Sequence, residues 1–496
     1  MSLGIGLPGI AQNLLQYVPP VLSTKQNTDT NTSLLLTTLD LARYDRNPEV
    51  KPYVNTVQII DANDPWPPRW YTTTPIYTDK EFAADTQQSQ MRFNFLIDAK
   101  VDAGDLSFCK ILTTPKKGEN ILDHPAFAGY ILLNKKMEPV DTVKSRDAFG
   151  GLYWHDFRTN PKIERLVSIR KELNIDLRSA TGNPADSAIH SEIDYIQVFD
   201  KHDSVIFNWN PMDHLDSSYF NFKENLNSSR SFTSNNTGII EWTRLTSALW
   251  DYDGNILYAM RMIGLAKISR QDGHIIWRID HKDMPIISGT DTMEWYSPHD
   301  FNYLYETDTS AFYSLFATGW VNFPQARGVV FEMNKKTNKF KIVKNLWPKK
   351  KYMGLGQGGC DYTREGDFTI SYGRIEDSVT SESNFRDEIE YGRKDSLYNI
   401  FQLPKWNYVY KAHRLENWPK PPRPIIVVKG GYLQVLGNLH AYNWYLLSDP
   451  DRTTATKIGS GKRIIPTRGG IYCVEGEYGI GYVVSKPLTY RHNEPF

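Results

Sequence analysis

The chain has 496 residues, long enough for one large repeat domain or several ordinary ones. Its 57 Lys and Arg balance 57 Asp and Glu, so no global field recruits nucleic acid or an anionic membrane, and any anion site is local. Aromatic residues reach 13%, with 29 Tyr and 13 Trp, and 33 Gly and 28 Pro recur at short intervals; this mix favours short strands and tight turns over long helices.

Residues 1–45 lack periodicity and read as an N-terminal arm. Their opening, MSLGIGLPGIAQNLLQYVPPVL, has no basic n-region, is broken by Pro8, Pro19 and Pro20, and is too short to span a bilayer. Residues 46–118 carry strand patterns such as VNTVQII, MRFNFLIDAKV and DLSFCKILTT around the break DPWPPRW, and predict a small β domain or appendage. From 119 to 496 one pattern recurs: strand, polar hairpin, strand. AGYILLNKKMEPVDTV, DYIQVFDKHDSVIFNW, IGLAKISRQDGHIIWRI and GVVFEMNKKTNKFKIV are instances, with insertions at Ser217 to Asn236 and Arg374 to Asp395. The length allows roughly six four-stranded blades, so the fold class expected is all-β, a six-bladed β-propeller with a small N-terminal β domain or extension; tandem β-sandwiches are the alternative.

Cys109, Cys360 and Cys473 are too few and too far apart for a disulfide framework or a zinc site and read as buried thiols. Sequons at Asn31, Asn227 and Asn235 permit secretion and agree with the extracytoplasmic or secreted location expected of this chain. The Gly run MGLGQGGC reads as a propeller loop, PMDHLD (His214, Asp213, Asp216) and the lysines of PKKKYM as solvated turns, and Asp280 and His281 in WRIDHK as residues at a blade edge after a strand end.

Two features carry chemistry. The segment from Glu241 to Ile279 sets Arg244 and Arg261 among tryptophans and β-branched residues, and an arginine inside a β structure asks for an anion. The pair His–Asp–Phe occurs twice, in YWHDFR (His155, Asp156) and SPHDFN (His299, Asp300). At equivalent positions of two blades, the histidines would face one central channel.

In that order, GLYWHDFR, DYIQVFDKHDSVIFNWNPMDHLD, EWTRLTSALWDYDGNILYAMR, IGLAKISRQDGHIIWRI and SPHDFN resemble the arylsulfotransferase family, over about residues 120–415. CDYTREGDFTISYG, which contains Thr363, resembles its late blade, and YVYKAHRLENWPKPPRP the strand that follows. The resemblance implies a six-bladed propeller that moves a sulfuryl group from one phenol to another without a nucleotide donor. It implies His299 as the nucleophile that becomes sulfohistidine, His155 as a channel histidine for proton traffic or sulfate oxygens, and Arg261 as the sulfuryl-binding arginine. Where the family has a histidine, one residue, then Asn, this chain has Arg244, Leu245, Thr246; arginine binds an anion but exchanges no proton near neutrality. The family's SWNGATE-type segment is replaced by VLGNLHAYNW, which brings in His440.

The expected function is therefore arylsulfotransferase-like transfer through sulfohistidine. Its catalytic residues are His299, His155 and Arg261, and its substrate-binding residues are Arg244, Thr246, Thr363 and His440. The alternative is a repurposed propeller enzyme, a lyase, hydrolase or isomerase, using the same His/Arg pocket. No metal and no cofactor are expected. The partner is a small aromatic or anionic substrate, without nucleic acid or a membrane span, and a homodimer is left open.

Overall fold

The structure, a computed structural model, describes residue 15 and residues 18–25, 32–40, 55–73, 93–113, 125–144, 150–176, 178, 184–215, 240–241, 243–261, 263–280, 298–318, 326–349, 353–376, 387–404, 407–415, 418–447 and 454–492. The sequons at Asn31, Asn227 and Asn235, Asp216 and His281 lie outside them. Among the described residues no helix is long and apolar enough to cross a membrane.

Six antiparallel sheets follow one another around a ring. The first blade holds Phe93–Asp102, Asp105–Thr113, Pro125–Leu133 and Pro139–Lys144. The second holds Gly150–Thr159, Arg165–Ile175, Ile189–Phe199 and Val205–Trp209, with Ile240–Glu241 added in parallel. Leu245–Trp250, Ile256–Met260, Gly264–Ile268 and Ile275–Asp280 form the third. Pro298–Glu306, Ser310–Ala317, Arg327–Asn334 and Phe340–Leu346 form the fourth. The fifth runs Met353–Tyr362, Phe368–Glu376, Glu388–Arg393, Ser396–Gln402, and takes Leu22–Lys25 on its edge.

The sixth blade joins the two ends of the chain. Its inner strand, Asn407–Leu415, pairs with Ser33–Asp40, which continues through Thr56–Asp61 to Trp70–Thr73. Each inner strand packs on the next, and Asn407–Leu415 packs on Phe93–Asp102 to close the ring. A closing blade made from both termini locks a propeller, because the ring opens only if those pairings break.

The domain boundaries expected from sequence therefore move. Strands of the expected arm and appendage belong to blades five, six and one, and a boundary at 118 would cut through the first blade. At the C-terminal end the sixth blade's sheet is extended by further strands. Gly481–Val484 pairs with Trp70–Thr73 and leads outward to Gly470–Tyr478, Tyr442–Leu447 and Ala455–Ser460; Ile425–Lys429, Tyr432–Leu436 and Arg463–Ile464 form a further small sheet. Alternation marks a strand but not its partner.

Packing between blades is apolar and dense. Leu249, Leu257, Ala259 and Leu265 of the third blade meet Phe301, Tyr313, Leu315 and Phe331 of the fourth. Each fully buried aliphatic side chain there contributes about 1.5–3 kcal/mol. The polar turns match their sequence: Gly254 and Gly273 both sit at φ 79°, the left-handed region that glycine tolerates. Gly273 also lets Trp209 and His214 approach. The Trp209 indole donates to the Gly273 carbonyl at 2.9 Å, and His214 stacks on Trp209 at 5.4 Å, so His214 is a packing residue. All three cysteines are buried, free thiols.

Candidate functional site

An inner strand has an edge that no further strand of its own blade covers, and its N–H groups need acceptors. Side chains of the preceding blade supply several. Asp156 Oδ2 accepts from Ala248 N–H at 3.1 Å, Ser247 Oγ from Phe301 N–H at 2.9 Å, and Asp300 Oδ2 from Cys360 N–H at 2.9 Å. Ser371 Oγ accepts from Ala412 N–H at 3.2 Å, and Asp361 Oδ2 from Arg414 N–H at 2.8 Å. The Asp of each His–Asp pair is thus a pin between blades, leaving the histidine beside it for other work.

The histidines stand where the inner strands bulge. Register against the second strand of the blade shifts at Ile97/Lys100, Val167/Ser168 (opposite residues 153–157), Leu245/Ser247, His299/Asn302, Gly354/Gln357 and Leu36/Thr38 (opposite residues 409–412). Those irregularities contain or flank Asp98, His155, Asp156, Thr246, His299, Asp300, Tyr410 and Lys411. A bulge inserts residues into one strand and re-aims their side chains, which a regular period-two strand cannot do. Asp98 and Asp300 take φ values of 55° and 48° there.

His155 and His299 come together. Their ring centroids lie 5.4 Å apart with planes at 75°, and both are buried. Tyr410 completes a trio, with its ring 6.2 Å from His155 and 6.3 Å from His299 and its hydroxyl 2.8 Å from His155 Nδ1. Tyr153 meets the His155 ring at 4.5 Å and is itself covered by the Arg170 guanidinium at 3.7 Å.

Both imidazoles are held neutral. Burial pushes His299 down to about 3, helped by Lys411, Arg261 and Arg244 against the opposing pull of Asp300. Burial likewise holds His155 well below the usual range, with His299, Arg244, Arg170 and Lys411 adding to it. Both arginines picked out in the sequence thus bear on His299, and Arg244 on His155 too. Their backbones touch, Arg261 N–H donating to Arg244 C=O at 3.0 Å. Arg261 is buried, whereas Arg244 is half-buried at φ 39°.

Beneath the trio runs a buried ion network. Lys411 Nζ reaches Asp98 Oδ1 at 2.9 Å and Asp300 Oδ1 at 3.3 Å; Lys100 joins Asp98 at 2.8 Å and also Asp156, and Arg158 Nε lies 3.3 Å from Asp156. Burial by itself raises the Asp300 carboxyl, but Lys411, His413 and Arg158 hold it well below the usual carboxylate range. Burial lowers Lys411, yet Asp98, Asp300 and Asp156 keep it charged. Asp300, Asp361 and His413 also bring ligand-type atoms within 4.8 Å. Lys411 and His413 already serve these carboxylates, with His413 Nδ1 2.9 Å from Asp361, and Asp361 and Asp300 raise His413 despite its burial. The group is a bridge between blades.

Of the remaining residues picked out in the sequence, Thr246 lies close by, but its hydroxyl donates to the Pro298 carbonyl at 2.6 Å and the Ala259 carbonyl at 3.2 Å. It places the residue before His299. Thr363 is not brought to the trio: its Oγ1 accepts from Asp367 N–H at 3.1 Å in the turn after Met353–Tyr362. His440 is exposed in the C-terminal extension, between Tyr432–Leu436 and Tyr442–Leu447. The sixth blade's contribution comes instead from YVYKAHR, Tyr408 to Arg414, because Asn407–Leu415 is the inner strand. Tyr410, Lys411, Asp98 and Lys100 went unmarked in the sequence. Opposite charges inside the apolar runs FLIDAKV and YVYKAH were the available signal.

A model of the arylsulfotransferase (ASST) family matches residues 131–388. The chain belongs to the arylsulfotransferase family. That match spans blades two to four with parts of one and five, so it includes His155, Arg244, Arg261 and His299 and stops short of Tyr410 and Lys411. Membership implies a transferase of arylsulfotransferase-like activity. No curated protein matches the chain. Among solved structures it is similar to the GH43 BlXynB protein from Bacillus licheniformis, at 9% identity over 80% of this chain and 89% of that one, with a TM-score of 0.29. It is also similar to the C-terminal WD40 domain of Sif2, at 7% identity over 91% and 99%, with a TM-score of 0.32. Scores this low say nothing about what this arylsulfotransferase-family chain does.

Proposed function

We propose that this protein transfers a sulfuryl group from one phenol to another through a sulfohistidine on His299. A ring nitrogen of neutral His299 attacks the sulfur of an aryl sulfate. The S–O bond to the aryl oxygen breaks, its electron pair stays on that oxygen, and the proton released from the other ring nitrogen of His299 completes the phenol. An acceptor phenol then attacks the sulfur, gives up its proton, and restores the imidazole as the N–S bond breaks. Arg261 and Arg244 bind the sulfuryl oxygens, where fixed cations stabilise charge without reorganising.

The observation that carries this reading is the state of His299. It is buried, kept neutral with a pKa of about 3, and under the influence of two arginines. A protonated imidazole has no lone pair to offer sulfur, whereas this one keeps it at any ordinary pH. Its Nδ1 has no hydrogen-bond partner among the described residues.

Incubation with a chromogenic aryl sulfate, followed by peptide mass spectrometry, tests the reading. Phenol release and one sulfuryl group on the peptide containing His299 are expected, and His299→Ala should lower turnover on the order of 10³-fold or more. A wild-type protein that gives neither phenol nor a sulfated peptide would sink it. Arg244 in place of the family's histidine favours a second reading, a lyase, hydrolase or isomerase with His155 and His299 as acid and base and the arginines as an anion clamp; it gains if His299→Ala changes turnover of such an anionic or aromatic substrate while no peptide is sulfated.

A further inference from the structure

In the charge that builds on a phenol oxygen as its S–O bond breaks lies a requirement that two arginines around the sulfuryl group do not meet. Arg244 stands where a protic imidazole was expected, and a guanidinium does not exchange a proton near neutrality. The oxygen needs a neutral hydrogen-bond donor, and a neutral imidazole is one only at the nitrogen that carries the proton.

We propose that Tyr410 is the positioning residue that makes His155 this donor: its hydroxyl donates to His155 Nδ1, fixes the proton on Nε2, and so presents Nε2–H to the bridging phenol oxygen. The proposal rests on the sulfuryl-transfer reading above and adds no proton to its balance. His155 stabilises the oxygen by a hydrogen bond, while the proton that His299 releases completes the phenol.

Five observations carry it. Tyr410 Oη lies 2.8 Å from His155 Nδ1, and both residues are buried, so the bond is shielded from water. The His155 ring packs edge to face against Tyr153 at 4.5 Å and His299 at 5.4 Å, contacts that favour one ring orientation. The next residue, Lys411, grips the same histidine from its main chain, with Nζ 3.5 Å from the His155 carbonyl. The bulge opposite Thr37 lets these neighbours both serve one partner, whereas adjacent residues of a regular strand face opposite ways. The ionisation states agree: burial, with Asp98, Tyr153 and Asp156, keeps the Tyr410 phenol protonated and able to donate, and His155 stays neutral and able to accept.

Two measurements on the full chain test it. In the first, Tyr410→Phe is compared with wild type on 4-nitrophenyl sulfate, whose leaving group needs little help, and on phenyl sulfate, whose leaving group needs much. Turnover of phenyl sulfate should fall about tenfold or more beyond any loss on 4-nitrophenyl sulfate. His155→Gln should show the same selective loss, and the double variant no further one. In the second, nitrogen-15 NMR of histidine-labelled wild type, which needs no variant to fold, should find His155 as the Nε2–H tautomer. Equal losses on both donors, or an Nδ1–H tautomer, overturn the role of Tyr410 alone. A wild type that transfers no sulfuryl group overturns the functional reading and the part given to His155 with it.

Discussion

His155 and His299 meet edge to face, 5.4 Å between ring centroids, although they come from different blades. Two imidazoles this close, buried and under the influence of Lys411, Arg244 and other cations, do not take up a second proton at ordinary pH. The pair is therefore two neutral imidazoles, the state that the proposed nucleophile and donor both require.

That neutrality ties stability to acid. In the unfolded chain both histidines protonate below about pH 6.5, the ordinary value for the residue, while folded His299 resists until about pH 3. Between those values the unfolded state binds more protons, so stability falls as pH drops. His413, raised by Asp361 and Asp300, contributes in the opposite sense, its stabilisation fading as pH rises through its folded value. Melting temperature measured from pH 7 to 4 should decline, and less steeply in a His155→Gln, His299→Gln variant. An equal slope in the variant would show that other groups set the acid limit.

Lys411→Met should be the most damaging single change in the ion network. It leaves Asp98 and Asp300, both fully buried, without the cation that lies 2.9 and 3.3 Å from them. Breaking a buried pair by removing one partner costs about 3–5 kcal/mol. Chemical denaturation should show that loss, with partial recovery on adding Asp300→Asn, which removes a buried carboxylate that Lys411 neutralised.

Arg261→Ala should slow transfer by roughly 10²- to 10³-fold, the usual cost of losing one preorganised charge stabiliser. Arg244→His should raise transfer, because it restores a protic imidazole beside the trio. His also tolerates a φ of 39° at least as well as Arg. Steady-state rates on one aryl sulfate and one phenol acceptor settle both. Unchanged or lower activity in Arg244→His would count against a lost imidazole at that position.

Gly359→Ala should disturb the site without touching any charged residue in sequence. A Cβ there would lie 2.6 Å from Asp300 Oδ2, and that oxygen is not free to retreat, because it accepts from Cys360 N–H at 2.9 Å. Overpacking of this kind costs about 1–3 kcal/mol. A lower melting temperature together with reduced transfer is expected, since Asp300 adjoins His299; a wild-type melting curve would show that the strand yields freely.

Much of the fold was legible from the chain because its signals are local. Alternation, turn glycines such as Gly254 and Gly273, and the repeated strand–hairpin–strand pattern give an all-β repeat protein with a propeller's spacing. The repeated motif HDF marked His155 and His299 as neighbours, which they are, since equivalent positions of a repeat face one axis. Missed were the partners that do not repeat. The expected appendage held the strands that close the ring, and His440 proved to lie in an exposed C-terminal segment, because a pattern of alternating residues does not name the strand it will pair with.

By itself, then, the sequence determined an all-β repeat and put His155, His299, Arg244 and Arg261 forward as candidates. The tertiary structure decided which residues join them. Tyr410 and Lys411 read as alternate faces of one strand, yet a bulge opposite Thr37 sends both to His155. A bulge depends on how two distant segments are registered, Ser33–Asp40 against Asn407–Leu415, and that register is set only when the ring closes.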